Sequence, residues 1–239
     1  MSMSISLKRA GAIFVKDYKE FSRNYAVSIM LIFPILLAFI YRAQGLSSSI
    51  GAFVFVLNFS FALFTSFVQA CLIAEEKERN TLRSLMMTPA TTMDVLIGKS
   101  SLVFVMSAVI LAIVTFIFSY EPASIWVFVA AIILSLILYT AVGTICGLFS
   151  KTVLEASLSV FPVLIVFTGA PFAALLAKDF PVFNVLDYVP SSQLVYLLDT
   201  RQTGFTTGDI LQPLLITLAW TVVLTILSVV LYQRRLKDE

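Results

Sequence analysis

Six stretches of this chain carry no Asp, Glu, Lys or Arg: residues 25–41, 50–74, 101–119, 124–149, 157–177 and 210–232. Each is long enough, or nearly so, for a helix to cross a bilayer, which takes roughly 17–25 apolar residues. In hydrocarbon, every backbone polar group must bond within its own segment, so runs of this kind become helices. The rest of the composition agrees. The chain is 59% hydrophobic and 13% charged, against about 25% charged in a soluble domain. The sequence therefore predicts an all-α polytopic membrane protein with six transmembrane helices, forming a single transmembrane domain over residues 1–239.

Several function classes fall away on composition. A net charge of +2 gives no footprint for nucleic acid. With no histidine in the chain, no metal site is expected, and the commonest general base is missing. Cys71 and Cys146 both lie inside apolar runs and read as small core residues rather than a redox pair.

Residues 1–24 are polar but patterned. Leu7, Ala10, Phe14 and Phe21 recur at helical spacing, while Lys8, Arg9, Lys16, Lys19, Glu20 and Arg23 take the other faces. That predicts an amphipathic helix in the membrane interface, its basic face toward anionic lipid. Tyr25 and Tyr41 bracket the first span at belt positions. Pro162 and Gly169-Ala170-Pro171 predict a kinked or broken fifth span. Residues 178–209 mix polar and apolar side chains, which predicts short re-entrant helices outside the bundle, before the sixth span.

Orientation follows from counting. The N-terminal segment, residues 75–100, residues 150–156 and the C-terminal tail hold 13 of the 16 Lys and Arg. By the positive-inside rule this face is cytoplasmic. Six spans then put both termini on that side of a plasma membrane.

The densest charge lies in residues 75–89, between the second and third spans. Glu75, Glu76, Lys77, Glu78, Arg79 and Arg83 cannot lie in hydrocarbon. A short helix is expected here. Its acids would sit in the first turn, where the dipole favours them. Leu82, Leu85 and Met86 would share one face, and Pro89 would end it. Such an element suits docking of a soluble partner.

The spans themselves lack the ionisable groups that ion-coupled carriers keep in mid-membrane. Asn58 and Gln69 are the obvious hydrogen-bonding side chains. If the chain moves a solute uphill, energy enters from outside the spans. Gly98-Lys99-Ser100 imitates the end of a phosphate loop, but Met93 stands where that motif needs glycine and no strand precedes it. Lys99 is expected to anchor the start of the third span at the interface. Gly143 and Gly147 form a Gly-x-x-x-Gly pair that permits close helix approach, within the subunit or between subunits.

The acidic residues, then Thr81-Leu82, Leu85, Thr88-Pro89, and Gly98-Lys99 before the next span, resemble the permease subunits of type-2 ATP-binding-cassette (ABC) exporters. Where that family often has Gly-Thr-Leu-Glu, this chain has Asn80-Thr81-Leu82-Arg83. The resemblance covers nearly the whole length in plan, although only about 25 residues are motif-like. It implies that residues 75–89 form a coupling helix that docks on a separate ATPase. Glu75, Glu76, Glu78 and Arg79 would be its polar contacts and Leu82, Leu85 and Met86 its packed face, with Thr81 and Pro89 also part of the coupling segment. It also implies two ATPase subunits per complex, which hold ATP and Mg, and a second permease copy or paralogue. The chain itself would bind no cofactor and catalyse nothing. A path for hydrophobic, amphipathic or lipid-like cargo would run past Asn58, Gln69 and Pro162. The alternatives from the residues alone are a stand-alone channel or membrane scaffold whose charged loop binds another protein and, less well matched, a membrane-embedded enzyme.

Overall fold

A computed structural model describes residues 6–79, 91–174, 180–199 and 207–238. Among these residues every regular element is helical. Helix α1 is Leu7–Arg23. Asn24 ends it, and its side chain accepts from Val27 N to start the next helix. That helix runs as α2 (Tyr25–Ser28), a 3-10 turn (Ile29–Leu31) and α3 (Ile32–Ala43). Gly45, at φ 75°, takes the left-handed geometry that stops it. The second span is α4 (Ile50–Phe59), a π-helical stretch (Ser60–Ser66) and α5 (Phe67–Glu78). Then come α6 (Thr92–Phe118), α7 (Ile125–Phe149) and α8 (Val153–Ala174). A 3-10 stretch (Pro181–Tyr188) and α9 (Pro190–Asp199) precede α10 (Thr207–Asp238).

Five of these helices are long and apolar enough to cross a membrane: Ile50–Glu78, Met93–Phe118, Ile125–Phe149, Val153–Ala173 and Asp209–Arg235. The first apolar stretch, Ile29–Ala43, is shorter. Ile50–Glu78 is the most buried of the five and Asp209–Arg235 the most exposed. The core therefore forms around the second span: Phe53, Leu57, Phe61 and Phe64 belong to one buried cluster with Leu102 of α6 and Tyr139 of α7, and Phe61 stacks on Tyr139.

Four expectations change. First, α6 begins at Thr92 rather than near residue 101, because Thr91 and Asp94 form a capping box: Thr91 Oγ1 accepts from Asp94 N and Asp94 Oδ2 accepts from Thr91 N. Lys99 is thereby drawn inside a helix and is 1% exposed, not an interfacial anchor. Second, α8 runs unbroken through Pro162 and Pro171. Each proline removes one intrahelical bond, and in an apolar setting the helix is still the way to satisfy the rest. The irregular span is the second, whose π stretch has no proline or glycine to announce it. There Ser60 Oγ donates to Val56 O, and Ser66 Oγ donates across to Tyr139 O. Third, the apolar stripe of α1 does not face lipid alone. Ala10, Ile13 and Phe21 are buried, and a Cβ built on Gly98 of α6 would lie 2.8 Å from Ile13 Cβ and 2.9 Å from Ala10 O. Fourth, Glu75, Glu76 and Glu78 do not open a new helix. They fall in the last turn of α5, which continues the second span without a gap.

Candidate functional site

Acids in a final helical turn face the negative end of the dipole, so the last turn of α5 needs outside partners, and it has them. Glu75 Oε1 pairs with Arg79 Nη2 at 2.6 Å. Glu76 Oε1 lies 3.0 Å from Lys99 Nζ of α6. Lys77 Nζ donates to Leu148 O at 2.8 Å and to Ser150 O at 2.6 Å, taking up carbonyls at the end of α7. Glu78 Oε2 accepts from Val153 N at 2.8 Å, at the start of α8. One turn of helix thus holds the end of α7, the start of α8 and, through Lys99, the first part of α6.

Behind it is a buried ionic cluster. Asp17, Glu76 and Lys99 have 0%, 3% and 1% of their side chains exposed. Lys99 Nζ donates to Asp17 Oδ2 of α1 and to Leu72 O of α5, both at 3.2 Å. Lys16 Nζ, at the rim, is 3.5 Å from Glu76 Oε1 and 3.8 Å from Asp17 Oδ1. The four charges sum to zero, which is what makes burial tolerable, since an unpaired ion away from water costs several kcal/mol. One turn before Lys99 on α6, Asp94 joins two helix starts. Besides Thr91 N it accepts from Ser6 N at 2.8 Å, at the cap of α1, and from Arg9 Nε at 2.7 Å.

Among the described residues predicted to contact a partner, Arg79, with 60% of its side chain exposed, and Glu78 are open to solvent. Glu76 is buried against the subunit's own helices, while the exposed Glu78 accepts from Val153 N. Thr81, Leu82, Leu85, Met86 and Pro89 lie outside the described residues. The predicted path residues occupy different places. Asn58 is buried and donates through Nδ2 to Ser191 O of α9 at 3.3 Å. Gln69 is buried and donates to Thr144 Oγ1 of α7 at 2.9 Å. Pro162 is exposed on α8. Gly143 and Gly147 of α7 lie against the second span. A Cβ on Gly143 would run into Ser66 O, and one on Gly147 would meet Ala70 O at 2.6 Å.

Sequence reading missed Asp17, Lys16 and Asp94, and misplaced Lys99. The signals existed. Asp17 falls in register with Ala10, Ile13 and Phe21, so an acid sits in the middle of the apolar stripe of α1. Thr91-x-x-Asp94 is the spacing of a capping box.

Residues 13–230 match the model of a family described as ABC-2 family transporter protein. The curated proteins contain no match to the chain.

Proposed function

Because the chain belongs to the ABC-2 family of transporter proteins, and so is a multi-pass permease that pairs with an ABC ATPase subunit, we propose that it is an exporter subunit worked through residues 75–89. ATP and Mg are held by two partner ATPases, and this chain has no catalytic role of its own. A second copy or paralogue completes the path. Tyr25–Ala43, helical without a gap, serves as the first of six spans. Both termini lie in the cytoplasm of a plasma-membrane protein, in keeping with 13 of 16 Lys and Arg on that face. The cargo is hydrophobic, amphipathic or lipid-like, because the spans of the path offer neutral side chains and no fixed charge.

The observation that carries this reading is the continuity of Ile50–Glu78. The most buried span runs as helix into a charged turn whose side chains grip α6, α7 and α8. A partner that moved this turn would move the bundle. Arg79, with Leu82, Leu85 and Met86 beyond it, is the docking side of the segment, and Glu76 and Glu78 are its fastening to the permease.

The test is a Leu82→Asp/Leu85→Asp double variant, co-expressed with the cognate ATPase. It should insert and purify as the parent does, yet retain about tenfold less ATPase on an affinity column, the loss expected from charging a packed contact. Undiminished retention, with ATP-driven transport intact, would sink the docking role. A parent chain that brings down no ATPase would favour the scaffold reading.

A further inference from the structure

The structure assigns to α1 a part that its surface position does not suggest: we infer that Lys99 is a positioning residue that fastens α1 to the base of the driven turn, so that α1, α5 and the start of α6 move as one body. This deepens the coupling reading above and rests on it.

The fastening is repeated along α1. At its start Ser6 N and Arg9 Nε both bind Asp94. A turn later Ala10 and Ile13 close on Gly98, where no side chain would fit. At the next turn Asp17 meets Lys99, and Lys16 reaches Glu76. A helix lying loosely in the interface would need one apolar stripe, not a buried acid matched to a buried lysine. Lys99 is the centre because it holds carboxylates from two different segments, Asp17 of α1 and Glu76 of α5. Displacing Glu76 therefore pulls on Asp17. Ion pairs shielded from water are screened little, and a buried polar cluster is satisfied in one hydrogen-bonded arrangement, so this joint holds register where an apolar contact would slide.

The charge pattern supplies its own test. The cluster divides into two neutral pairs, Lys16 with Asp17 on α1, and Glu76 with Lys99 on the spans. A Lys16→Met/Asp17→Asn variant removes the α1 pair and leaves the other balanced, so no buried ion is left unpaired; Glu20, which Lys16 also reaches at 3.6 Å, is partly exposed to water. Neither Lys16 nor Asp17 belongs to the docking side of residues 75–89.

Two measurements decide the matter, both with Cys71 and Cys146 replaced by alanine. In the first, spin labels at Tyr18→Cys on α1 and Val105→Cys on α6, both about half exposed, report the distance between these helices in the purified full-length chain. The parent should give one narrow distribution, and Lys16→Met/Asp17→Asn a broad one. An equally narrow distribution in the variant overturns the fastening. In the second, a fluorophore at Phe116→Cys, 81% exposed near the far end of α6, is followed when the complex with its ATPase is trapped with ATP and vanadate. The parent should respond, and the variant should respond about fivefold less, the lower range of ordinary coupling between sites, while still hydrolysing ATP. An equal response overturns transmission through α1. A parent that hydrolyses ATP but shows no response overturns the coupling reading itself, whatever the first measurement gives.

Discussion

Where α5 meets α1 and α6, the helices are joined by ions: Asp17, Glu76, Lys99 and Lys16, with Asp94 and Arg9 one turn away. At the opposite end of the second span they are joined by rings. Phe53 stacks on Tyr120 with centroids 4.3 Å apart and tilts against Phe118 at 5.4 Å, and Tyr120 reaches Phe128 at 5.7 Å. Hydrogen bonds at this end go to helix-end carbonyls, from Arg42 Nη1 to Ile117 O and from Tyr120 OH to Leu198 O. The two kinds of joint yield differently. Ring pairs keep most of their contact through small shifts and prefer several offset geometries. A buried ionic cluster is satisfied in one arrangement and costly in most others. Lipid does not press helices together as water would, so the nature of each joint decides which end is stiff. The charged end is built to hold register and the aromatic end to allow adjustment, as the proposed drive through the charged end would require.

The harshest way to break this contrast is Lys99→Met. It strands Asp17 and Glu76 without their shared cation, and should cost about 3–5 kcal/mol. The measurement is the thermal midpoint of the purified protein in detergent, beside Lys99→Arg, which keeps the charge and should lose much less. A Lys99→Met protein as stable as the parent would mean that the charged end is no stiffer than the other. A milder break is Phe53→Ala at the aromatic end. It opens a cavity beside Tyr120, but without the water-driven part of the loss it should cost about 2 kcal/mol. A larger loss than for Lys99→Met would invert the comparison. The smallest change expected is Arg79→Ala, which removes an exposed partner of Glu75 and should shift stability by less than about 1 kcal/mol. Repeating that pair of melts in added salt sharpens the comparison. The Arg79 difference should shrink with screening, while the Lys99 difference should persist because its partners are buried.

Much of this was legible in the chain. Uncharged runs at 50–74, 124–149 and 210–232 announced helices near where α4–α5, α7 and α10 lie, because an apolar backbone in lipid has few other ways to satisfy its polar groups. The crowding of charge at Glu75–Arg79 marked where the second span ends, at Glu78. Gly143 and Gly147 announced a close approach, but not that Ser66 and Ala70 would be what approached.

What the chain alone decided is which of its stretches are apolar enough to live in lipid as helices. This depends on the transfer of each residue from water, a local property that adds along the sequence. Only the tertiary structure decided which charges would be hidden. Asp17 and Lys99 are 82 residues apart, and even the place of Asp17 in an apolar stripe does not name its partner. Burial of an ion is tolerable only beside its opposite, and no local property of either residue says that the other will be there.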